Sequence, residues 1–168
     1  DLIGMLELVW GEGFLSPGGP DEVDRVVAGL ALDGAHVLDI GCGWGSNLEY
    51  LVSQGVKRAH GITLSTEQVN WVNDRKLPGV TAIVCDYKDY EPKEKYDALI
   101  SIEMIDHLCS PAQANQGLAI EIYREYFRKT STWVKPGACF GFQAILRNRI
   151  PRNRKDLEDV PESVRQEL

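Results

Sequence analysis

Residues 37–45 read VLDIGCGWG, and this run decides the fold class. The apolar residues around Asp39 predict a buried parallel strand, and Gly41, Gly43 and Gly45 predict a turn with almost no side chains. Such a turn lets backbone N–H groups and the N-terminus of the next helix approach a ligand closely. The spacing differs from the dinucleotide fingerprint G-x-G-x-x-G, because position 46 is a serine. The alternative is a glycine-rich turn that binds nothing, as can occur between any strand and helix.

The bulk composition limits the classes of partner. The chain has 168 residues, 43% of them hydrophobic, which predicts one globular domain with a sizeable core. Its formal net charge of −7 argues against nucleic acid or an anionic membrane as the main partner. No apolar run approaches the ~20 residues that span a bilayer, so we expect no stable membrane insertion. The four cysteines are scattered without a C-x-x-C pair, which predicts no metal site and favours a reducing cytoplasm.

Strand and helix signals alternate from residue 36 onward. The Ser65–Gln68 segment fits a capping box at the start of a helix, and a long helix presents one apolar face made of Ile120, Tyr123, Tyr126 and Phe127. Residues 135–137 predict a turn. We predict a helix at 46–53 and strands at 36–40, 58–62, 80–85, 98–102 and 138–145. This alternation indicates an α/β fold with a doubly wound, mostly parallel sheet, flanking helices and a ligand crevice at the carboxyl ends of the strands.

Four segments together resemble one branch of the class I S-adenosylmethionine (SAM) methyltransferases. Residues 37–46 and 61–68 are similar to the cyclopropane-fatty-acid synthase group, and residues 101–107 to the segment that follows its fourth strand. Residues 10–19 resemble the N-terminal loop of phosphoethanolamine and sarcosine/dimethylglycine methyltransferases. The resemblance covers about residues 10–146 and implies a Rossmann-like fold, SAM as cofactor, S-adenosylhomocysteine as product and methyl transfer to a small-molecule acceptor.

The resemblance also implies a division of the chain. We expect residues 1–146 to form the SAM-binding core with its N-terminal loop. The charged residues 147–168 are expected to begin a substrate lid, with a solvated surface as the alternative. Methyltransferases of this class usually add two strands after the fifth, and no sequence for them is found here. We therefore expect the chain to be part of a longer protein, and a homodimer is left open.

Carried over residue by residue, the resemblance implies the cofactor contacts. Ser16 would touch the methionine end, the three glycines would pass beneath methionine and ribose, and Asp39 would brace the turn. Thr63 stands where most methyltransferases place an acidic ribose ligand, and Gln68 is its substitute, a role compatible with capping. Tyr87 has the alternative role of an ordinary half-buried aromatic residue. The implied cofactor-binding residues are Ser16, Asp39, Gly41, Gly43, Gly45, Thr63, Leu64, Gln68, Asp86, Tyr87 and Ile102.

His107, with Asp106 beside it, is the candidate catalytic base, because an imidazole pKa near 6.5 suits proton removal from an amine, hydroxyl or activated carbon. The alternative is a hydrogen-bonded core histidine. His36 and His60 lie on predicted strands, which favours structural roles. Glu103 would border cofactor and substrate.

Two positions depart from the cyclopropane synthases, which bind a bicarbonate base through a cysteine and a histidine. Pro17 and Gln143 stand at those positions, and Gln143 is therefore a candidate substrate contact. This departure favours a small-molecule acceptor. The alternatives are a cyclopropane-synthase-like lipid enzyme and a SAM-binding cyclase or regulatory protein that does not methylate.

Overall fold

A computed structural model of the chain describes residues 19–144, which form a five-stranded parallel sheet with flanking helices. The strand order is β3-β2-β1-β4-β5. The predicted α/β class and parallel sheet are confirmed. The strands are β1 (His36–Ile40), β2 (Arg58–Thr63), β3 (Val80–Val84), β4 (Tyr96–Ile102) and β5 (Val134–Gln143). The helices are α1 (Gly19–Val27), α2 (Ser46–Ser53), α3 (Thr66–Asp74), α4 (Pro111–Asn115) and α5 (Ala119–Ser131), with a single 3₁₀ turn at Ile105–His107.

Strand β1 lies in the middle of the sheet, and its residues from Val37 to Ile40 are buried on both faces. Val37 packs in the core layer that contains α1, α2 and α3 residues, whereas Leu38 and Ile40 pack in the layer that contains Tyr126 of α5. The chain runs outward from β1 through β2 to β3 and then crosses to β4 on the other side. The crossover leaves a crevice at the carboxyl ends of β1 and β4, as doubly wound sheets do.

Strand β5 differs from its prediction. It begins at Val134, so residues 135–137 lie within the strand and the predicted turn is wrong. Val134 pairs with Tyr96 and Cys139 with Ala98, which is an irregularity that places extra residues on β5. Gly137 supplies the positive φ of +81° that this bulge requires.

Helix α5 packs through part of the predicted face, which includes Tyr126 and the half-buried Tyr123. Tyr126 and Thr130 are buried, but Ile120 is 63% exposed and Phe127 is 40% exposed. The buried pair is spaced i, i+4, and Phe127 lies about 100° around the helix from Tyr126. Ile120 is therefore the most exposed member of the predicted face, whereas Phe127 keeps contact with aromatic rings of β5.

Some predictions concern segments outside the described residues. These segments are the N-terminal loop with Ser16 and Pro17, and the boundary at residues 146–147. None of the helices between residues 19 and 144 has the length and apolar character needed to cross a membrane.

Candidate functional site

A cleft of about 590 Å³ opens at the carboxyl ends of strands β1 to β4. The loops that follow these strands bring together most of the predicted site. The predicted residues that line the cleft are Gly41, Gly43, Thr63, Leu64, Gln68, Asp86, Tyr87, Ile102, Glu103 and His107. Asp39, Gly45, Asp106 and Gln143 are not among its lining residues.

The three glycines of the turn have left-handed backbones but different surroundings. The φ angles of Gly41, Gly43 and Gly45 are +84°, +52° and +85°. A Cβ atom at Gly41 would lie 2.7 Å from Cγ of Met104, and one at Gly45 would lie 2.6 Å from Cγ2 of Val72. A Cβ at Gly43 would meet nothing within 4 Å. Gly41 and Gly45 thus allow close packing, whereas Gly43 leaves open space beside the cleft.

Helix α2 begins directly after this turn. Its N-cap, Gly45, has no side chain to accept a hydrogen bond from the first turn. Ser46 and Asn47 of that turn line the cleft. The helix therefore presents backbone N–H groups and the positive end of its dipole to a ligand. Sequence reasoning missed both residues, although their position just after the last glycine was a usable signal.

Thr63 and Gln68 form a pair at the end of β2. The Thr63 hydroxyl donates to Oε1 of Gln68 at 2.7 Å. Ser65 caps α3 by accepting from the Gln68 backbone N–H at 3.3 Å, but the Gln68 side chain is engaged with Thr63. The predicted capping box is therefore only half formed. The pair offers a hydroxyl oxygen and an amide NH₂ group, which are neutral partners suited to hydroxyl groups.

The loop after β3 supplies another wall of the cleft. Asp86 accepts a hydrogen bond from the Lys88 backbone N–H at 2.9 Å, which fixes the carboxylate. Tyr87 is buried, and its ring packs edge-on against Tyr126 at 5.1 Å between centroids. The Lys88 ammonium lies 5.9 Å from the Tyr87 ring centroid and lines the same cleft. Sequence reasoning missed Lys88, and the pattern around it carried no distinct signal.

Asp39 lies beneath the turn rather than in the cleft. Its side chain is fully buried, and neither carboxylate oxygen has a hydrogen-bond partner among the described residues. Burial raises the pKa of this carboxyl to about 7, and the neighbouring Asn47 side chain offsets part of the rise. Its role in bracing the turn stays a prediction.

The segment after β4 supplies a further wall of the cleft. His107 ends the 3₁₀ turn, is exposed and lines the cleft, so it is not the buried core histidine of the alternative interpretation. Its role as a base stays a prediction. His60, by contrast, is hydrogen-bonded to Thr81 at 2.8 Å and stacks on Tyr90, which fits a structural role.

Gln143 contacts the backbone of β4 instead of lining the cleft. Its side-chain oxygen and its carbonyl oxygen both accept from the Glu103 N–H, each at 3.1 Å. Glu103 itself has a left-handed backbone with φ of +55°. Within residues 19–144, no group of three or more His, Cys, Asp or Glu side chains could hold a metal ion.

The geometry agrees with a comparison to known protein families. The sequence profile of the family described as mycolic acid cyclopropane synthetase matches residues 20–160. The chain belongs to this family. The family is SAM-dependent, and the resemblance to the cyclopropane-fatty-acid synthase branch is confirmed.

Relatives of this chain have names that indicate different methyl acceptors. The chain is 36% identical over 113 residues to the cyclopropane-fatty-acyl-phospholipid synthase of Escherichia coli, covering 67% of this chain and 26% of that protein. It is 28% identical over 135 residues to the phosphoethanolamine N-methyltransferase of Plasmodium falciparum, covering 77% of this chain and 47% of that protein. The chain spans less than half the length of the curated relatives it matches.

A solved structure carries the cofactor of the family. The phosphoethanolamine N-methyltransferase 2 of Haemonchus contortus, in complex with SAM, aligns with a TM-score of 0.64 and 27% identity. The alignment covers 81% of this chain and 30% of that chain. Together with the family match, this similarity makes SAM the first ligand to consider for the cleft.

Proposed function

We propose that this chain is the cofactor-binding core of a SAM-dependent methyltransferase that acts on a small-molecule acceptor. The observation that carries the proposal is one cleft at the carboxyl ends of β1, β2 and β3, which is lined by Gly43, Thr63, Gln68, Asp86 and Tyr87. SAM, when bound, supplies a methyl group already attached to a sulfonium leaving group. The protein then contributes mainly positioning and, where the acceptor needs it, one base.

Each wall of the cleft fits one part of this cofactor. The open space at Gly43 and the start of α2, which has no side-chain cap, suit the polar methionine end of SAM. The hydroxyl and amide of the Thr63–Gln68 pair suit two ribose hydroxyls. The Asp86 carboxylate suits an exocyclic amino group, and the buried edge of Tyr87 suits an aromatic base.

We expect Gly43→Asn to weaken SAM binding by more than about tenfold, since its side chain would occupy the open space beside the cleft. Asparagine is chosen because it tolerates a left-handed backbone, which a β-branched residue does not. Isothermal titration calorimetry with SAM and S-adenosylhomocysteine measures the effect.

Gly34→Asn is the matched control for this experiment. Gly34 also has a positive φ, of +68°, and open space around a Cβ, but it precedes β1 at the opposite end of the sheet. The two variants should therefore lose similar stability while only the first loses SAM affinity. Equal affinities for SAM in both variants would place the cofactor elsewhere.

The side chain of Gln143 supports a small-molecule acceptor over cyclopropanation. The synthases of the resemblance use a histidine at this position to bind bicarbonate. Here the Gln143 side-chain oxygen accepts from the Glu103 backbone and lies outside the cleft lining. The predicted role of Gln143 as a direct substrate contact stays a prediction.

The mouth of the cleft favours the second candidate, a lipid acceptor. Leu64 is 72% exposed and Trp44 is 39% exposed, and both line the cleft. Trp71 is 53% exposed and packs edge-on against Trp44 at 6.1 Å between ring centroids. Three large apolar side chains at one opening suit an acceptor with an extended apolar part.

Incubation with SAM labelled in its methyl group separates the candidates. Label transferred to a water-soluble metabolite panel supports the small-molecule enzyme, and label transferred to phospholipid vesicles supports the lipid enzyme. Tight SAM binding without transfer to either panel favours a protein that binds SAM without methylating.

A further inference from the structure

Glu103 has a backbone conformation that its surroundings must hold in place. Its φ of +55° lies in the left-handed region, which residues other than glycine, asparagine and aspartate rarely adopt. The residue directly follows β4 and lines the cleft. Strained backbone at such a position persists only when neighbouring groups over-determine it.

Gln143 supplies that restraint. It is the last residue of β5 and pairs with Ile102, the last residue of β4. The Glu103 N–H donates to both oxygens of Gln143, one from the carbonyl and one from the side chain, at 3.1 Å each. A single residue of the neighbouring strand therefore holds the first amide of the turn from two directions.

The turn at Glu103 determines where the next side chain lies. Met104 packs against the glycine-rich turn, so that a Cβ atom at Gly41 would lie 2.7 Å and 2.8 Å from its Cγ and Cβ atoms. This contact joins the loop after β4 to the loop after β1. A different backbone at Glu103 would move Met104 away from Gly41 and open the wall between the two loops.

We propose that Gln143 is a positioning residue that holds the left-handed turn at Glu103 and, through it, keeps Met104 against Gly41. The function of this arrangement is to give the cofactor cleft a closed wall beside the acceptor. The inference deepens the proposed function, because its ligand readout rests on SAM binding in this cleft. Its second readout, amide exchange, needs no ligand.

Gln143→Leu removes the side-chain acceptor and leaves the strand pairing. We expect hydrogen exchange of the Glu103 amide to become about tenfold faster, which is the effect of one lost hydrogen bond. We expect SAM affinity to fall by about the same factor. Exchange is followed residue by residue by NMR, and affinity by calorimetry.

Gln113→Leu is the matched control. The Gln113 side-chain oxygen also accepts from a backbone N–H, that of Ser110 at 3.0 Å, in the capping box of α4. It is not among the cleft-lining residues. Its loss should change neither the Glu103 exchange rate nor SAM affinity.

Two further variants separate positioning from a general loss of structure. Gln143→Glu keeps an acceptor oxygen at the same place and should protect the Glu103 amide within about threefold of the parent chain. In a Glu103→Gly background, where glycine adopts the left-handed turn without strain, Gln143→Leu should cost SAM affinity less than about threefold.

The outcomes are distinct. If the Glu103 amide exchanges equally fast in Gln143→Leu and Gln113→Leu, the positioning role of Gln143 is overturned. The same holds if this amide exchanges as fast in Gln143→Glu as in Gln143→Leu. Absence of SAM binding by the parent chain overturns the proposed function instead, and the exchange rates then still decide the role of Gln143.

Discussion

His107→Ala is expected to lower kcat by roughly 10²–10⁴, the usual contribution of a positioned general base, while SAM affinity changes little. The expectation rests on the position of His107, which is exposed on the 3₁₀ turn after β4 and lines the cleft beside Met104.

The measurement is kcat on the acceptor that the labelled-SAM experiment identifies, with SAM affinity from calorimetry. His36→Ala is the control, because His36 begins β1 at the end of the sheet opposite the cleft. A kcat within about threefold of the parent chain would remove His107 from the mechanism, since so small a change is well below the effect of a general base. The acceptor would then be a good nucleophile that needs positioning alone.

Asp39→Asn is expected to stabilise the protein without cofactor at neutral and alkaline pH. The Asp39 carboxyl is fully buried, and burial raises its pKa from the ordinary value of 3.8 to about 7. A carboxyl with a raised pKa favours the folded state at low pH, and this contribution is lost as pH rises through the folded-state pKa. The complete loss corresponds to roughly 4 kcal/mol, of which somewhat more than half develops between pH 5 and pH 8.

Urea unfolding of the parent chain and of Asp39→Asn at pH 5 and pH 8 measures the difference in their free energies of unfolding. Asp97→Asn is the control with a pKa shift of opposite sign. A hydrogen bond from Lys135, with a second from the His36 N–H, holds the pKa of Asp97 below its ordinary value. Its contribution is therefore constant between pH 5 and pH 8 and is lost only in acid. If the effect of Asp39→Asn on the free energy of unfolding were also the same at pH 5 and pH 8, the Asp39 carboxylate would have to accept a hydrogen bond from a partner.

The glycine-rich run of residues 37–45 was sufficient to predict β1, the turn, helix α2 and the position of the cleft. The predicted strands β1 to β4 also lie within two residues of the observed ones. These features are predictable because they depend on residues close together along the chain. Alternation of apolar residues, the conformational freedom of glycine and helix capping all act over a few positions. The function class came from the resemblance of about residues 10–146 to one branch of the class I methyltransferases.

Side-chain partners between distant segments required the tertiary structure. The resemblance implied Gln143 as a substrate contact, and only the register of β4 and β5 shows that its side chain accepts from the Glu103 amide, 40 residues away. Likewise, Gly41 was predicted as a ligand contact, and only the folded chain shows that Met104 packs against it. Sequence patterns by themselves determined strands β1 to β4, helices α2 and α3, and the end of the sheet where the cleft opens. Which side chains face the ligand and which hold the walls was decided only by strand register and close packing, because those depend on residues that meet for the first time when the sheet assembles.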